Sequence, residues 1–350
     1  MTTLLRRLGL SLAALLVLAA IAFAVVHRGA IPYATLEQRY AAPASRYLDL
    51  PDGVHVHYRD EGLATGPVIV LVHGFSDSTA TWEGWITALK ARNRVISLDL
   101  PGHGLTRAPK DWPAGTVRYA ALLDQVVNRL SVTRFALVGN SMGGSVAWNY
   151  ALGHPDRLTA LVLVDAAGWP EPPRKPGQKS DGALAFEMLR TPWGRWLLSR
   201  IDLRPVIADG LRKAFHDPSR VTDGMIDRFS DLSHAPDHPA IILGMQDRAW
   251  VRATPDAMAR IRTPTLVMHG ADDRLIPVEN GRRFASTIPG AELMVYPDCG
   301  HTPQMEIPDR SVADLAAFLA RHPAGDAPAG HQAEGPSPST SARTGSGAGV

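Results

Sequence analysis

The first pattern along the chain is an uncharged, almost wholly apolar run from Leu8 to Val26, preceded by Arg6 and Arg7 and closed by His27 and Arg28. As a helix rising 1.5 Å per residue it would be about 28 Å long, near the hydrocarbon thickness of a bilayer. It predicts that residues 1–28 are either a transmembrane signal anchor or a signal peptide cleaved after Ala22-Phe23-Ala24. Because the apolar run continues through Val25 and Val26, beyond that cleavage point, the anchor is the preferred expectation. The positive flank predicts an inside N-terminus, with the rest of the chain on the non-cytoplasmic side, periplasmic in a bacterium. Cleavage would instead give a secreted protein.

Residues 29–44 read as a linker. Beyond them the period of the pattern changes. Val54 to Tyr58 (VHVHY) alternates as a strand does, and Val68 to Val72 (VIVLV) is a continuous apolar run suited to a strand buried on both faces. Val95 to Leu98, Phe135 to Val138, Leu161 to Val164, Thr265 to Met268 and Glu292 to Tyr296 repeat the buried-strand pattern. Helical spacing separates several of them, over Thr116 to Leu130, from about Ser141 to Leu152, and over Ser311 to Ala320. Strands alternating with helices predict an α/β fold with a mostly parallel sheet covered on both faces. The core is expected over residues 45–167 and 263–322.

The alternation breaks between residues 168 and 262. That stretch opens with a proline- and lysine-rich loop, Pro170 to Lys179, and continues as helical pattern carrying Phe186, Met188, Trp193, Trp196, Leu197 and Phe215. An insertion of that size between two core strands predicts a helical cap over the sheet ends, a natural place for a substrate pocket. Residues 323–350 are rich in Ala, Pro, Gly, Ser and Thr, and a disordered tail is expected there.

Composition narrows the chemistry. The net charge is only +2 and the basic residues are scattered among acids, which argues against a nucleic-acid partner. The single cysteine, Cys299, rules out an internal disulfide and a cysteine metal cluster. There is no H-E-x-x-H pair for zinc.

Gly139-Asn140-Ser141-Met142-Gly143 follows a predicted strand and opens a predicted helix. In a G-x-S-x-G turn the serine sits on strained backbone, and small neighbours let strand and helix approach. The turn lifts the hydroxyl clear and sets it at a helix N-terminus, where backbone N–H groups face an incoming oxyanion. The five-residue pattern alone is weak, and its strand-helix context supplies the specificity. A serine also needs a base. Thr265 to Met268 runs into His269-Gly270-Ala271-Asp272-Asp273, and Glu292 to Tyr296 runs into Pro297-Asp298-Cys299-Gly300-His301. A serine, an acid and a histidine thus lie in that order, each at the C-terminal end of a predicted strand, where open α/β sheets place their sites.

On these residues the core resembles the α/β-hydrolase fold family, in its serine esterase and lipase-like branch. His73-Gly74-Phe75 is similar to the family's oxyanion loop and Gly139 to Gly144 to its nucleophile elbow. The family's G-x-x-D-x-x-x-P stretch, laid on Gly270 to Pro277, selects Asp273 over Asp272. The resemblance implies acyl transfer: Ser141 as nucleophile, His301 as general base, Asp273 orienting the histidine, and the backbone N–H groups of Phe75 and Met142 holding the oxyanion. It implies no metal and no organic cofactor.

The resemblance leaves the substrate open. A serine at the elbow excludes the epoxide hydrolase and haloalkane dehalogenase branches, which use aspartate there. The Gly-Asn-Ser-Met-Gly-Gly stretch is similar both to lipases and esterases and to hydrolases that cleave C–C bonds in ring-fission products. The latter usually have tryptophan after the histidine, where this chain has Thr302. A carboxylic or lipid-like ester is therefore the leading expectation. C–C cleavage, perhydrolase activity and a non-catalytic binding module remain as alternatives. His73, His103 and Asp99 are expected to order loops, His55 and His57 to be surface or sheet residues, Asp272 to serve a turn, and Cys299 to pack.

Overall fold

Continuous apolar runs become buried parallel strands. In the computed structural model, which describes residues 2–170, 188, 191–245 and 250–323, the strands are β1 (Ser45–Asp49), β2 (His55–Gly62), β3 (Val68–Val72), β4 (Arg94–Leu98), β5 (Phe135–Asn140), β6 (Leu158–Val164), β7 (Thr265–Gly270) and β8 (Glu292–Tyr296). They form one sheet in the order β1-β2-β4-β3-β5-β6-β7-β8. β1 and β2 pair antiparallel, as do β2 and β4, and every later pairing is parallel.

Alternate residues of a strand point to opposite faces. Val70 and Val72 join one apolar layer with α4 (Thr116–Arg129) and α5 (Met142–Gly153). Ile69 and Leu71 join the other, against α3 (Glu83–Leu89) and the C-terminal helix over Pro308–Arg321. Both faces of the central strands are therefore dry, which is why β3, β5, β6 and β7 read as continuous apolar runs. Each fully buried side chain of this size contributes roughly 1.5–3 kcal/mol.

Among the described residues, the helices between β6 and β7 include α6 (Pro192–Leu198), α7 (Arg204–Ala214), α8 (Asp223–Ser233), α9 (His238–Gly244) and α10 (Pro255–Met258). Among the described residues no strand lies between β6 and β7, so the insertion is a helical cap. It has its own small core, including Leu211, Phe215, Ile226 and Phe229. Most of the expected Pro170 to Lys179 loop, Phe186 and residues 324–350 of the expected tail lie outside the described residues.

The N-terminal expectations require correction. Among the described residues no helix is long and apolar enough to cross a membrane, so the single-pass placement, with its membrane partner and its non-cytoplasmic catalytic domain, is not upheld. The apolar run does belong to a helix, α1 (Thr2–Val26), but Arg6 and Arg7 lie within it rather than ahead of it. Its other end is committed to protein. Phe23 stacks on Trp196 at 6.0 Å, the Asp202 N–H donates to the Val26 carbonyl at 2.7 Å, and Arg28 pairs with Asp202 and Asp231. Residues expected to form a linker include a further helix, α2 (Tyr33–Tyr40), whose Leu36 is wholly buried against Leu105, Leu232 and Ala235. Among the described residues, α11 (Val278–Thr287), α12 (Pro303–Glu306) and α13 (Pro308–Arg321) lie beyond β7.

Candidate active site

The elbow forms where β5, buried along its whole length, must turn sharply into α5. Ser141 takes the turn at φ 55° and ψ −116°, a conformation that costs a non-glycine residue roughly 1–3 kcal/mol. The surroundings impose it. The Ser141 N–H donates to the Val164 carbonyl at 2.9 Å, and its carbonyl accepts from Ala167 N at 3.0 Å. A side chain at Gly139 would meet the Gly143 carbonyl oxygen at 2.2 Å, and one at Gly143 would meet that of Val72 at 2.2 Å. Only glycine allows strand and helix to pass this closely.

The candidate acid comes from the loop after β7. Asp273 Oδ1 accepts from the N–H groups of Leu275 (2.7 Å) and Ile276 (2.9 Å), which leaves Oδ2 for His301 Nδ1 at 2.6 Å. Burial would raise this carboxyl, but the nearby His269, the hydrogen bond and charge of His301, and the Ile276 N–H outweigh it. They hold Asp273 far below the ordinary carboxylate range. Its ionised form can fix the imidazole tautomer and stabilise an imidazolium.

His301 sits in the loop between β8 and α12, held from three sides. Its N–H donates to the Ala214 carbonyl of the cap at 2.6 Å. The Asn140 side chain donates to its carbonyl at 3.2 Å. The buried Glu306 carboxylate accepts from Gly300 N and, in the cap, from His216 N, both at 2.8 Å. Burial raises the Glu306 carboxyl, and these N–H groups counter the rise.

Ser141, His301, Asn140, Gly74 and Phe75 line one cavity of about 300 Å³. Its remaining wall is largely apolar, with Val206, Ile207, Leu211, Phe215, Phe229 and Met305 among the lining residues. Gly74 brings the oxyanion-loop backbone against the elbow, since a Cβ there would stand 3.2 Å from the Ser141 Cβ. A second, more open cavity of about 280 Å³ also reaches Ser141 and is lined by Phe75, Met142, Ser145, Ala167, Met245 and Trp250. Ser141 and Phe75 thus border both cavities, His301 the first and Met142 the second, with Asp273 directly behind the histidine.

Other singled-out residues fall elsewhere. His73 Nδ1 bonds to the Gly74 carbonyl at 2.7 Å and its Nε2 accepts from Leu100 N at 3.0 Å, so it orders the oxyanion loop. His103 is held neutral, first by burial and then by His73 and His238. Asp99 accepts from Thr79 N and Leu105 N, the loop-holding arrangement expected of it. His57 is a sheet residue of β2, as expected, and is buried between Asp99 and Ser45, each at 2.7 Å. This repeats the serine-histidine-aspartate chemistry, but the adjoining space of about 20 Å³ has room for about one water and no substrate. Asp272 pairs with His216 at 3.0 Å. The Cys299 thiol is buried and pushed up by that burial, away from reactivity.

Asn140 and the buried Asp165 are the candidate-site residues to which sequence reasoning gave no individual role. Their partners lie up to 161 positions away, and no local pattern marks them.

The sequence profile of the alpha/beta hydrolase family matches residues 69–315, more than half of the chain. The chain belongs to the α/β-hydrolase family. A 2-hydroxy-6-oxo-2,4-heptadienoate hydrolase of Pseudomonas putida is 30% identical over 273 residues, covering 73% of this chain and 90% of that protein. Among solved structures, an esterase from Thermogutta terrifontis is 28% identical with a TM-score of 0.65, covering 80% of this chain and 99% of the other. A meta-cleavage product hydrolase from Pseudomonas fluorescens is 25% identical with a TM-score of 0.65, covering 79% and 97%. The family assignment makes the protein an α/β hydrolase.

Proposed function

We propose that this hydrolase cleaves carboxylic esters of apolar acids through an acyl-enzyme on Ser141. The observation that carries the reading is the ionised Asp273 bonded to His301 at 2.6 Å, with His301 and Ser141 lining one largely apolar cavity. In this reading His301 accepts the Ser141 proton as the hydroxyl attacks the ester carbonyl. Asp273 keeps the imidazole in the tautomer that accepts at Nε2 and stabilises the resulting cation. The N–H groups of Phe75 and Met142 take the oxyanion, His301 protonates the departing alcohol, and water then releases the acid by the same route in reverse.

The lining supports a neutral, apolar acyl group. Among the described residues it offers no Lys or Arg, and its one acid, Asp77, is buried with its carboxyl raised by that burial. The similarity to the T. terrifontis esterase is consistent with this substrate class.

The P. putida relative favours a second reading, hydrolysis of a C–C bond in a ring-fission product, and so does the P. fluorescens structure. A dienoate carries a carboxylate, for which the described lining provides no cation, and Thr302 stands where the ring-fission hydrolases usually have tryptophan. The ester reading is therefore placed first. Kinetics on p-nitrophenyl esters from acetate to palmitate, beside 2-hydroxy-6-oxo-2,4-heptadienoate, separate the two. Ester turnover that disappears in Ser141→Ala supports the first reading. Turnover of the dienoate alone supports the second, and a folded protein inactive on both leaves a binding module.

A further inference from the structure

Asp165, directly after β6, is wholly buried, and neither the family assignment nor the proposed chemistry uses it. Its backbone stands at φ 44°, in the left-handed region, although its N–H still extends the β6–β7 ladder to the Met268 carbonyl at 2.9 Å. Left-handed backbone at a buried aspartate marks a position where the surroundings dictate the side-chain direction. That direction is toward the acid loop. Carboxylate oxygens of Asp165 and Asp273 and a ring nitrogen of His301 all lie within 4.8 Å of one another. Asp165 Oδ1 accepts from Gly270 N at 2.9 Å, whereas its Oδ2 is buried with no hydrogen-bond partner.

Two buried carboxyl groups this close cannot both be ionised without a large penalty, so one of them holds a proton. The surroundings decide which. Asp273 receives hydrogen bonds from two backbone N–H groups and from His301, all of which favour its anion. Asp165 has one backbone donor and a buried oxygen to which no group donates, so its anion is the less stabilised of the two. The other groups facing it are His269, whose Nε2 is 3.6 Å from Oδ1 while bonding to the Ile276 carbonyl at 2.9 Å, and, at longer range, Glu306 and Cys299. Burial first, and then the Asp273 charge, raise the Asp165 carboxyl well above its ordinary value, in agreement with the geometry.

We propose that Asp165 is a positioning residue: the proton-bearing half of a carboxyl pair with Asp273, which steadies Asp273 against His301 and can itself supply the negative charge behind His301 when Asp273 is absent. The inference rests on the role given to Asp273 and His301 above. No bond other than that to a proton is made or broken. With Asp273 gone, the Asp165 proton passes to solvent and the charge left behind faces the imidazole.

The test is the rate at which Ser141 is labelled by a fluorophosphonate, measured against pH in wild type, Asp165→Asn, Asp273→Ala and the double variant. This readout needs an activated serine and no knowledge of the substrate. Asparagine keeps the Oδ1 acceptor for Gly270 N but cannot ionise. The expected result is a loss of about 2- to 5-fold for Asp165→Asn alone and at least about tenfold for the same change made in Asp273→Ala. Labelling of Asp273→Ala rises with pH as Asp165 ionises, and the double variant loses that rise. Equal factors in both backgrounds, together with an unchanged pH profile, overturn the proposal, since a residue serving only Gly270 would behave in that way. If Asp165→Asn does not fold, the pH profile of Asp273→Ala alone decides. A rising limb absent from wild type supports the proposal and its absence overturns it. Failure of wild type to be labelled at all would instead overturn the functional reading.

Discussion

Asn140 and His301 are joined across 161 residues: the Asn140 side-chain amide donates to the His301 carbonyl at 3.2 Å and to the Val164 carbonyl at 3.1 Å. One buried amide therefore couples the turn that presents Ser141 to the loop that presents the base. Asn140→Ala removes both donated bonds and leaves the His301 carbonyl unpaired, while the Val164 carbonyl keeps the Ser141 N–H. The expected cost is about 1–3 kcal/mol of stability. A fall of about tenfold in ester kcat is also expected, because the loop carrying His301 loses one of its three anchors. Denaturant unfolding and steady-state kinetics check both. An unchanged kcat would show that Gly300 and Ala214 hold the loop without Asn140.

Strain at Ser141 makes a prediction about stability alone. Glycine tolerates φ 55° and ψ −116°, so Ser141→Gly should abolish ester turnover while stabilising the fold by about 1 kcal/mol. For a chain of this size that is a rise of roughly 1–2 °C in Tm. Ser141→Ala should lose activity equally without that rise. Calorimetry on the two variants decides the point.

The depressed Asp273 carboxyl fixes a sign for pH dependence. Its folded value lies below its unfolded value, so its stabilisation is present above the ordinary carboxylate pKa of about 3.9. It is withdrawn as pH falls through that value toward the folded one. Asp273→Asn cannot show this loss. The difference in Tm between wild type and Asp273→Asn should thus be constant from pH 7 to 5 and shrink below about pH 4. A gap that widens on acidification would refute the assignment of Asp273 as the ionised partner.

The apolar cavity predicts a chain-length preference that its walls control. Ile207, half-buried in α7, can be enlarged without opening the core. Ile207→Trp should lower kcat/KM for p-nitrophenyl octanoate by about tenfold or more, and for the acetate by a much smaller factor. An equal loss on both esters would mean that the acyl group lies elsewhere, with the cavity beside Met245 and Trp250 the next candidate.

Much of this site was readable because its elements announce themselves locally. A buried strand followed by glycines and serine can be recognised within ten residues, and Ser141, Asp273 and His301 stand just beyond the ends of β5, β7 and β8. β1 was not placed, because an antiparallel edge strand such as Ser45–Asp49 is half-exposed and carries no apolar run. Asp165 was given no role, since its value lies in contacts with Gly270 and Asp273, and the bonds that Glu306 accepts from Gly300 and His216 are likewise assembled only in the folded chain. The N-terminal run was overread for a related reason. Length and hydropathy carry no record of Phe23 resting on Trp196 or of Arg28 pairing with Asp231.

The most direct test of the central claim is to quench the protein with acid during turnover of p-nitrophenyl butyrate and weigh its peptides by mass spectrometry. The account predicts a butyryl adduct on the peptide containing Ser141 in wild type and none in Ser141→Ala. Ester hydrolysis by a folded protein that persists in Ser141→Ala, or an adduct on another residue, would contradict it.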